Sequence, residues 1–212
     1  MFTKETYTNG DYTLHYGIDF PNNFSPKNKY PILFYFHGMG NVQTGLDNLI
    51  ETCPIRRELM PEGAPFIVVA PSCDDYTWFE NFGEVIKFIK SFLAKEYADE
   101  NRFYLTGSSM GGYTAWTLSY ICPELWAAAV ICCGGGLYGG VRDRVKFPIR
   151  AVHGTADTTV ECRESELMAD RINRKGGRVE LILLEGFPHD VWTHTFSQHE
   201  TYQWLLLHKK DC

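Results

Sequence analysis

The chain has 212 residues, 44% hydrophobic and 22% charged, with a formal net charge of −6. That length fits one domain with room for a substantial core, and the composition is ordinary for a globular protein. A negative balance without a basic run excludes the phosphate-contacting surface that a nucleic-acid partner needs, and acidic surfaces hold anionic lipid poorly. No stretch approaches the length of an apolar membrane span.

The first residues, MFTKETYTNG, lack the apolar core of a signal peptide, so a cytoplasmic location is expected. The seven cysteines (Cys53, Cys73, Cys122, Cys132, Cys133, Cys162 and Cys212) are odd in number and show no CxxC spacing. They read as reduced, mostly buried thiols rather than a disulfide framework.

Taken in order, residues 3–20 read as a β-hairpin turned at Asn9-Gly10, with Tyr12, Leu14, Tyr16 and Ile18 alternating after it. Residues 31–36, PILFYF, are a continuous apolar run, as expected for a strand covered on both faces. A helix is expected from Leu46 to Leu59, a buried strand over 66–70, and a helix over 79–97, where Phe82, Val85, Ile86 and Ile89 fall at helical spacing. Further strands are expected over 103–105, 126–133, 147–153 and 179–184. Helices follow over 161–174 and 195–208, with an amphipathic one directly after residue 109. Strands alternate with helices after an initial hairpin, which specifies a single α/β domain over 1–212: a mostly parallel central sheet, an antiparallel start and helices on both faces.

Within this frame Gly107-Ser108-Ser109-Met110-Gly111 is a G-x-S-x-G sequence between an apolar strand and a helix. Glycines two residues to either side of Ser109 let strand and helix close on each other, and Ser109 is lifted to a helix N-terminus, where orphan N–H groups favour negative charge. Ser108 falls off the centre of that glycine frame and reads as a packing residue.

Ligands of a parallel α/β sheet bind beyond the carboxyl ends of its strands, so the candidates are whatever follows each strand. These are His37-Gly38-Met39-Gly40, Pro71-Ser72-Cys73, Ser109, Gly154-Thr155-Ala156-Asp157 and Gly186-Phe187-Pro188-His189. A serine hydroxyl is a weak nucleophile that needs an imidazole to take its proton and a carboxylate to orient the imidazole. Ser109, Asp157 and His189 supply these in the order Ser, Asp, His. Asp143 is the alternative acid. Asp190 is too close in sequence to reach the ring of His189. His37 and His153 read as backbone braces, and His194 and His199 as side chains of the last helix. Acyl transfer also needs two donors for an oxyanion, and the backbone N–H groups of Met110 and Met39 are placed to supply them. No metal or organic cofactor is called for.

The runs YPILFYFHGMG, FIVVAPSCDDYTW, NRFYLTGSSMGGYTAW, AAAVICCGGG, AVHGTADTTV and GFPHDVWTHTF, in that order from residue 30 almost to the end, resemble α/β-hydrolase-fold serine esterases of the dienelactone-hydrolase, feruloyl-esterase and "predicted peptidase" neighbourhood. The resemblance implies Ser109 as nucleophile, Asp157 as acid and His189 as base. It also places Trp78 and Trp192, with Gly38, on the substrate side of the cleft. Dienelactone hydrolases carry cysteine at the elbow, so serine here disfavours that activity, and Asn41 stands where the family often has glutamate. The segment 137–146 is too short for a helical cap. An open site suits small acyl esters or esters on bulky, carbohydrate-linked alcohols. A serine peptidase of the prolyl-oligopeptidase type and a non-catalytic binding protein with this fold are the alternatives.

Overall fold

In the computed structural model, which describes residues 1–210, eight strands form one sheet in the order β1-β2-β4-β3-β5-β6-β7-β8. β1 (Thr3–Asn9) and β2 (Tyr12–Asp19) are the expected hairpin. Asn9 pairs with Tyr12, however, so the two-residue turn is Gly10-Asp11 rather than Asn9-Gly10. Gly10, at φ 59°, supplies the positive φ that such a turn needs at its first position.

β2 joins β4 (Ile67–Pro71) antiparallel, and every later pairing is parallel. These link β3 (Tyr30–Phe36), β5 (Ala98–Ser108), β6 (Ala128–Cys132), β7 (Pro148–Gly154) and β8 (Arg178–Leu184). β3, β4 and β6 are buried at every residue, as continuous apolar runs require.

Alternation along β3 divides the core between the two faces of the sheet. Ile32, Phe34 and Phe36 meet Phe88 of α2 (Phe82–Ser91), Trp116 of α3 (Met110–Ile121) and Met168 of α4 (Arg163–Arg174). Leu33 and Tyr35 point the other way, into a cluster with Leu49 of α1 (Leu46–Thr52), Phe196 of α5 (Trp192–Ser197) and Tyr202 of α6 (His199–Leu206).

Four further expectations are corrected. The helix expected to Leu59 ends at Thr52, because Pro54 drives the preceding Cys53 to an extended ψ of 124°. The pattern over 79–97 yields a helix only from Phe82 to Ser91, followed by a 3-10 turn. The last helix is two, divided at Gln198 (ψ 122°), where the Thr201 hydroxyl takes the Thr195 carbonyl at 2.6 Å. α3 is buried along most of its length rather than amphipathic, since it packs on β3, β5 and β6 together.

The six described cysteines are free, five of them buried, and Cys212 lies outside the described residues. Among the described residues no helix is long and apolar enough to cross a membrane.

Candidate active site

β5 runs straight into α3 through Ser109, which adopts φ 55° and ψ −121°, a conformation L-residues rarely take. Such strain persists only where the surroundings enforce it. Here a methyl group on Gly107 would overlap the Gly111 carbonyl, and one on Gly111 would overlap the carbonyls of Phe36 and His37. The end of β3, the end of β5 and the start of α3 thus meet backbone to backbone. Ser108 turns inward, 1% exposed, to hydrogen-bond Tyr35 Oη at 2.9 Å, which fits a packing role.

The Ser109 hydroxyl faces the loops that follow β7 and β8. Its Oγ lies 2.9 Å from His189 Nε2, and His189 Nδ1 lies 2.6 Å from Asp157 Oδ2. A carboxylate on the Nδ1 side fixes the tautomer: Nδ1–H donates to Asp157, and Nε2 accepts from the serine. The Asp157 side chain is fully buried, whereas that of His189 is 20% exposed, so the relay opens to solvent at the serine end.

Asp157 is held from several directions. Its Oδ1 accepts the N–H groups of Thr159 (2.8 Å) and Val160 (2.9 Å), and its Oδ2 faces both His189 and His153 Nε2, the latter at 3.2 Å. Burial alone raises a carboxyl pKa. The hydrogen bond from His189 and those from the Val160 and Thr159 amides outweigh it, leaving Asp157 below its usual value and ionised. Cys133, fully buried beneath the relay, donates its thiol to the His189 carbonyl at 2.8 Å, and burial pushes that thiol up to about 12.

The loop after β3 forms the opposing wall. Gly38, at φ −79° and ψ 179°, precedes a 3-10 turn over Met39–Asn41, and a methyl group on it would stand 3.1 Å from Ser109 Cβ. Met39 and Met110 each open a helical turn, positions whose N–H groups take no intrahelical acceptor. His37 orients this wall. Its ring Nδ1 donates to the Gly38 carbonyl at 2.8 Å, and its Nε2 accepts the Cys73 N–H at 3.0 Å. Because C=O and N–H point oppositely across a trans peptide, a carbonyl gripped by His37 turns the Met39 N–H the other way. Burial holds His37 down at about 4, hence neutral, as this bonding requires.

The remaining candidates separate clearly. Trp192 packs edge-on to His189, with ring centroids 5.3 Å apart. Trp78 is 2% exposed, its indole N–H donating to the His37 carbonyl at 3.0 Å, so it backs the β3 loop from behind. Asp143 is exposed on the loop between β6 and β7. Asp190 caps the next turn, accepting the Thr193 amide at 3.0 Å and its hydroxyl at 2.9 Å. His194 and His199 are exposed on α5 and α6. His153 braces the Val160 carbonyl (2.9 Å) as expected, but it also reaches Asp157. The four-residue spacing in His153-Gly154-Thr155-Ala156-Asp157 was the available signal for that contact.

A groove of about 600 Å³ lined by Trp126, Arg144, Lys146 and Arg178 lies at the opposite, amino-terminal edge of the strands, away from this cluster.

Comparison with known proteins agrees with this picture. Residues 79–135 match the Prolyl oligopeptidase family, Peptidase_S9. The chain is 29% identical over 153 residues to a bifunctional acetylxylan esterase/xylanase of Neocallimastix patriciarum, covering 69% of this chain and 22% of that protein. It is 26% identical over 190 residues to feruloyl esterase D of Neurospora crassa, covering 82% and 63% respectively. The crystal structure of a thermostable esterase superposes with a TM-score of 0.86 at 30% identity, covering 99% of this chain and 63% of the other. The chain thus spans less than two thirds of the length of each of these relatives. With its mostly parallel sheet, its elbow after β5 and its superposition on a thermostable esterase, the chain has the α/β-hydrolase fold.

Proposed function

We propose that the protein hydrolyses carboxylic esters through an acyl-enzyme, as a single domain, with Ser109 as nucleophile, His189 as general base and Asp157 as the orienting acid. The observation that carries this reading is the unbroken relay of 2.9 Å and 2.6 Å from Ser109 through His189 to Asp157.

Ser109 Oγ attacks the ester carbonyl as its proton passes to His189 Nε2, and Asp157 stabilises the resulting imidazolium without taking its proton. The carbonyl oxygen, now anionic, receives the N–H groups of Met39 and Met110. Collapse of the tetrahedral intermediate expels the alcohol, protonated by His189. Water, activated by the same ring, then releases the acid. Gly38 leaves room beside Ser109 for the acyl carbon, and Trp192 borders the leaving group. Trp78 contributes by holding the His37 carbonyl.

Small acyl esters on carbohydrate-linked alcohols are the proposed substrate class. Their support is the partly exposed serine end of the relay and the similarity to an acetylxylan esterase and a feruloyl esterase. Between β6 and β7 the chain carries only a 3-10 turn, Tyr138–Gly140, with Leu137 71% exposed, so no helical cap overhangs the site there. The second reading, a serine peptidase, rests on the Prolyl oligopeptidase match.

Initial rates on p-nitrophenyl acetate, acetylated and feruloylated xylo-oligosaccharides and aminoacyl p-nitroanilides separate the two. Turnover of the esters with little on the anilides is expected. Anilides turned over faster than every ester would replace the esterase reading with the peptidase one.

A further inference from the structure

His153 is fully buried, as is Asp157, and the serine relay as described above leaves it without a task. Its hydrogen bonds can be counted atom by atom. Nε2 stands 2.9 Å from the Val160 carbonyl and 3.2 Å from Asp157 Oδ2; both are acceptors, so Nε2 carries hydrogen. Nδ1 stands 2.8 Å from Ser165 Oγ, at the start of α4, and that hydroxyl lies 2.8 Å from the Gly134 carbonyl. A carbonyl cannot donate, so the single serine proton goes to Gly134, and Ser165 Oγ meets Nδ1 as an acceptor. Nδ1 therefore carries hydrogen as well. A ring that donates from both nitrogens is an imidazolium.

We propose that His153 is a positioning residue: a buried imidazolium that holds Asp157 in place behind His189 and shares its negative charge. The proposal deepens the esterase reading, resting on Asp157 as the acid that orients His189. Asp157 Oδ2 is the shared atom, with His189 Nδ1 at 2.6 Å on one side and His153 on the other. His153 also ties the carboxylate to the 157–160 turn, to α4 and to the Gly134 loop, so three elements fix one oxygen. The other titratable groups facing the cluster are Cys133, kept protonated by burial, Asp190, Tyr113 and Glu164. None of them is a cation.

The consequence for catalysis has a sign. A cation beside Asp157 draws off part of the charge that would otherwise stabilise protonated His189. Without it, His189 holds its proton to higher pH, and the acid limb of the kcat/KM profile moves up. Loss of packing alone would lower the folded fraction and leave that limb where it is.

The test compares pH profiles of wild type, His153→Leu and His153→Gln on p-nitrophenyl acetate, with ¹⁵N NMR of the histidine rings. His153→Leu is expected to lower kcat roughly 10- to 100-fold through misplacement of the relay, with KM little changed and the acid limb shifted upward. His153→Gln, which still donates to Asp157 but is uncharged, should recover most of kcat and retain the shifted limb. The wild-type His153 ring should show two protonated nitrogens near neutral pH. A folded His153→Leu with unchanged kcat and limb, or a neutral His153 ring, would overturn the proposal. If His153→Leu does not fold, the NMR spectra of wild type and Ser165→Ala decide, since losing the Nδ1 partner should perturb the imidazolium signals and leave those of His37 in place. Absence of wild-type esterase activity would count against the esterase reading alone, because the ring's protonation is read without substrate.

Discussion

In the proposed mechanism the half of the site that would receive the substrate oxygen, Gly38-Met39 and the Ser109-Met110 turn, is assembled from backbone, while the half that would move the proton, Asp157 and His189 with His153 behind them, is assembled from side chains. In the first, glycines at 107 and 111 bring three carbonyl-bearing segments into contact. In the second, the groups are joined by bonds of 2.6 to 3.2 Å that depend on which atom holds which proton. The first half should therefore fail when a methyl group is added or an N–H removed. The second should fail when a proton is misplaced, with the fold intact.

The largest effect is expected in the proton-moving half. Asp157→Asn keeps the shape but offers His189 an amide that can select the wrong tautomer. A fall in kcat of about 10,000-fold is expected, with the circular dichroism spectrum unchanged. Retention of more than a tenth of the rate would detach Asp157 from the relay.

Next comes the wall opposite. Gly38 is already extended at ψ 179°, a conformation compatible with a following proline, and Met39 opens a 3-10 turn, so Met39→Pro should fold while losing its N–H. The expected loss is roughly 100- to 1,000-fold in kcat, about 3–4 kcal/mol. Met39→Ala, which trims an exposed side chain and keeps the donor, should stay within about twofold of wild type. Equal losses from both would show that the side chain, rather than the amide, carries the role.

Smaller in free energy is Gly111→Ala. Alanine improves helix propensity by about 1 kcal/mol, but the new methyl group would overlap two backbone carbonyls that cannot rotate away. Overpacking of this kind costs about 3 kcal/mol, so a net loss of stability is expected in urea unfolding. A stabilised Gly111→Ala would mean that β3 and α3 have room to separate.

The same contrast explains what could be read from the chain alone. The elbow was legible because sterics leave a mark on sequence: glycines at 107 and 111 bracket the one serine that must adopt a positive φ. The relay was legible because strand ends in a parallel sheet share an edge, so residues 109, 157 and 189 could be collected without knowing their distances. Breaks in helices were less visible. Pro54 was a local signal outweighed by helical spacing, and the division at Gln198 depends on Thr201 reaching Thr195, a contact that exists only once α5 and α6 have packed. The sharing of Asp157 between two histidines was hidden for another reason. A buried histidine after a strand looks alike in sequence whether it braces a carbonyl or a carboxylate, and the difference lies in where the 157–160 turn places its groups. Trp78 shows the converse, an aromatic beside the site whose indole turns inward to hold a backbone oxygen.

Labelling with a fluorophosphonate tests the convergence of hydroxyl, imidazole and carboxylate most directly, because the reagent reports an activated serine whatever the natural ester is. One adduct per chain is expected, located by mass spectrometry on Ser109, absent in Ser109→Ala and strongly slowed in folded His189→Ala. Labelling at another residue, or equal rates with and without the His189 ring, would contradict it.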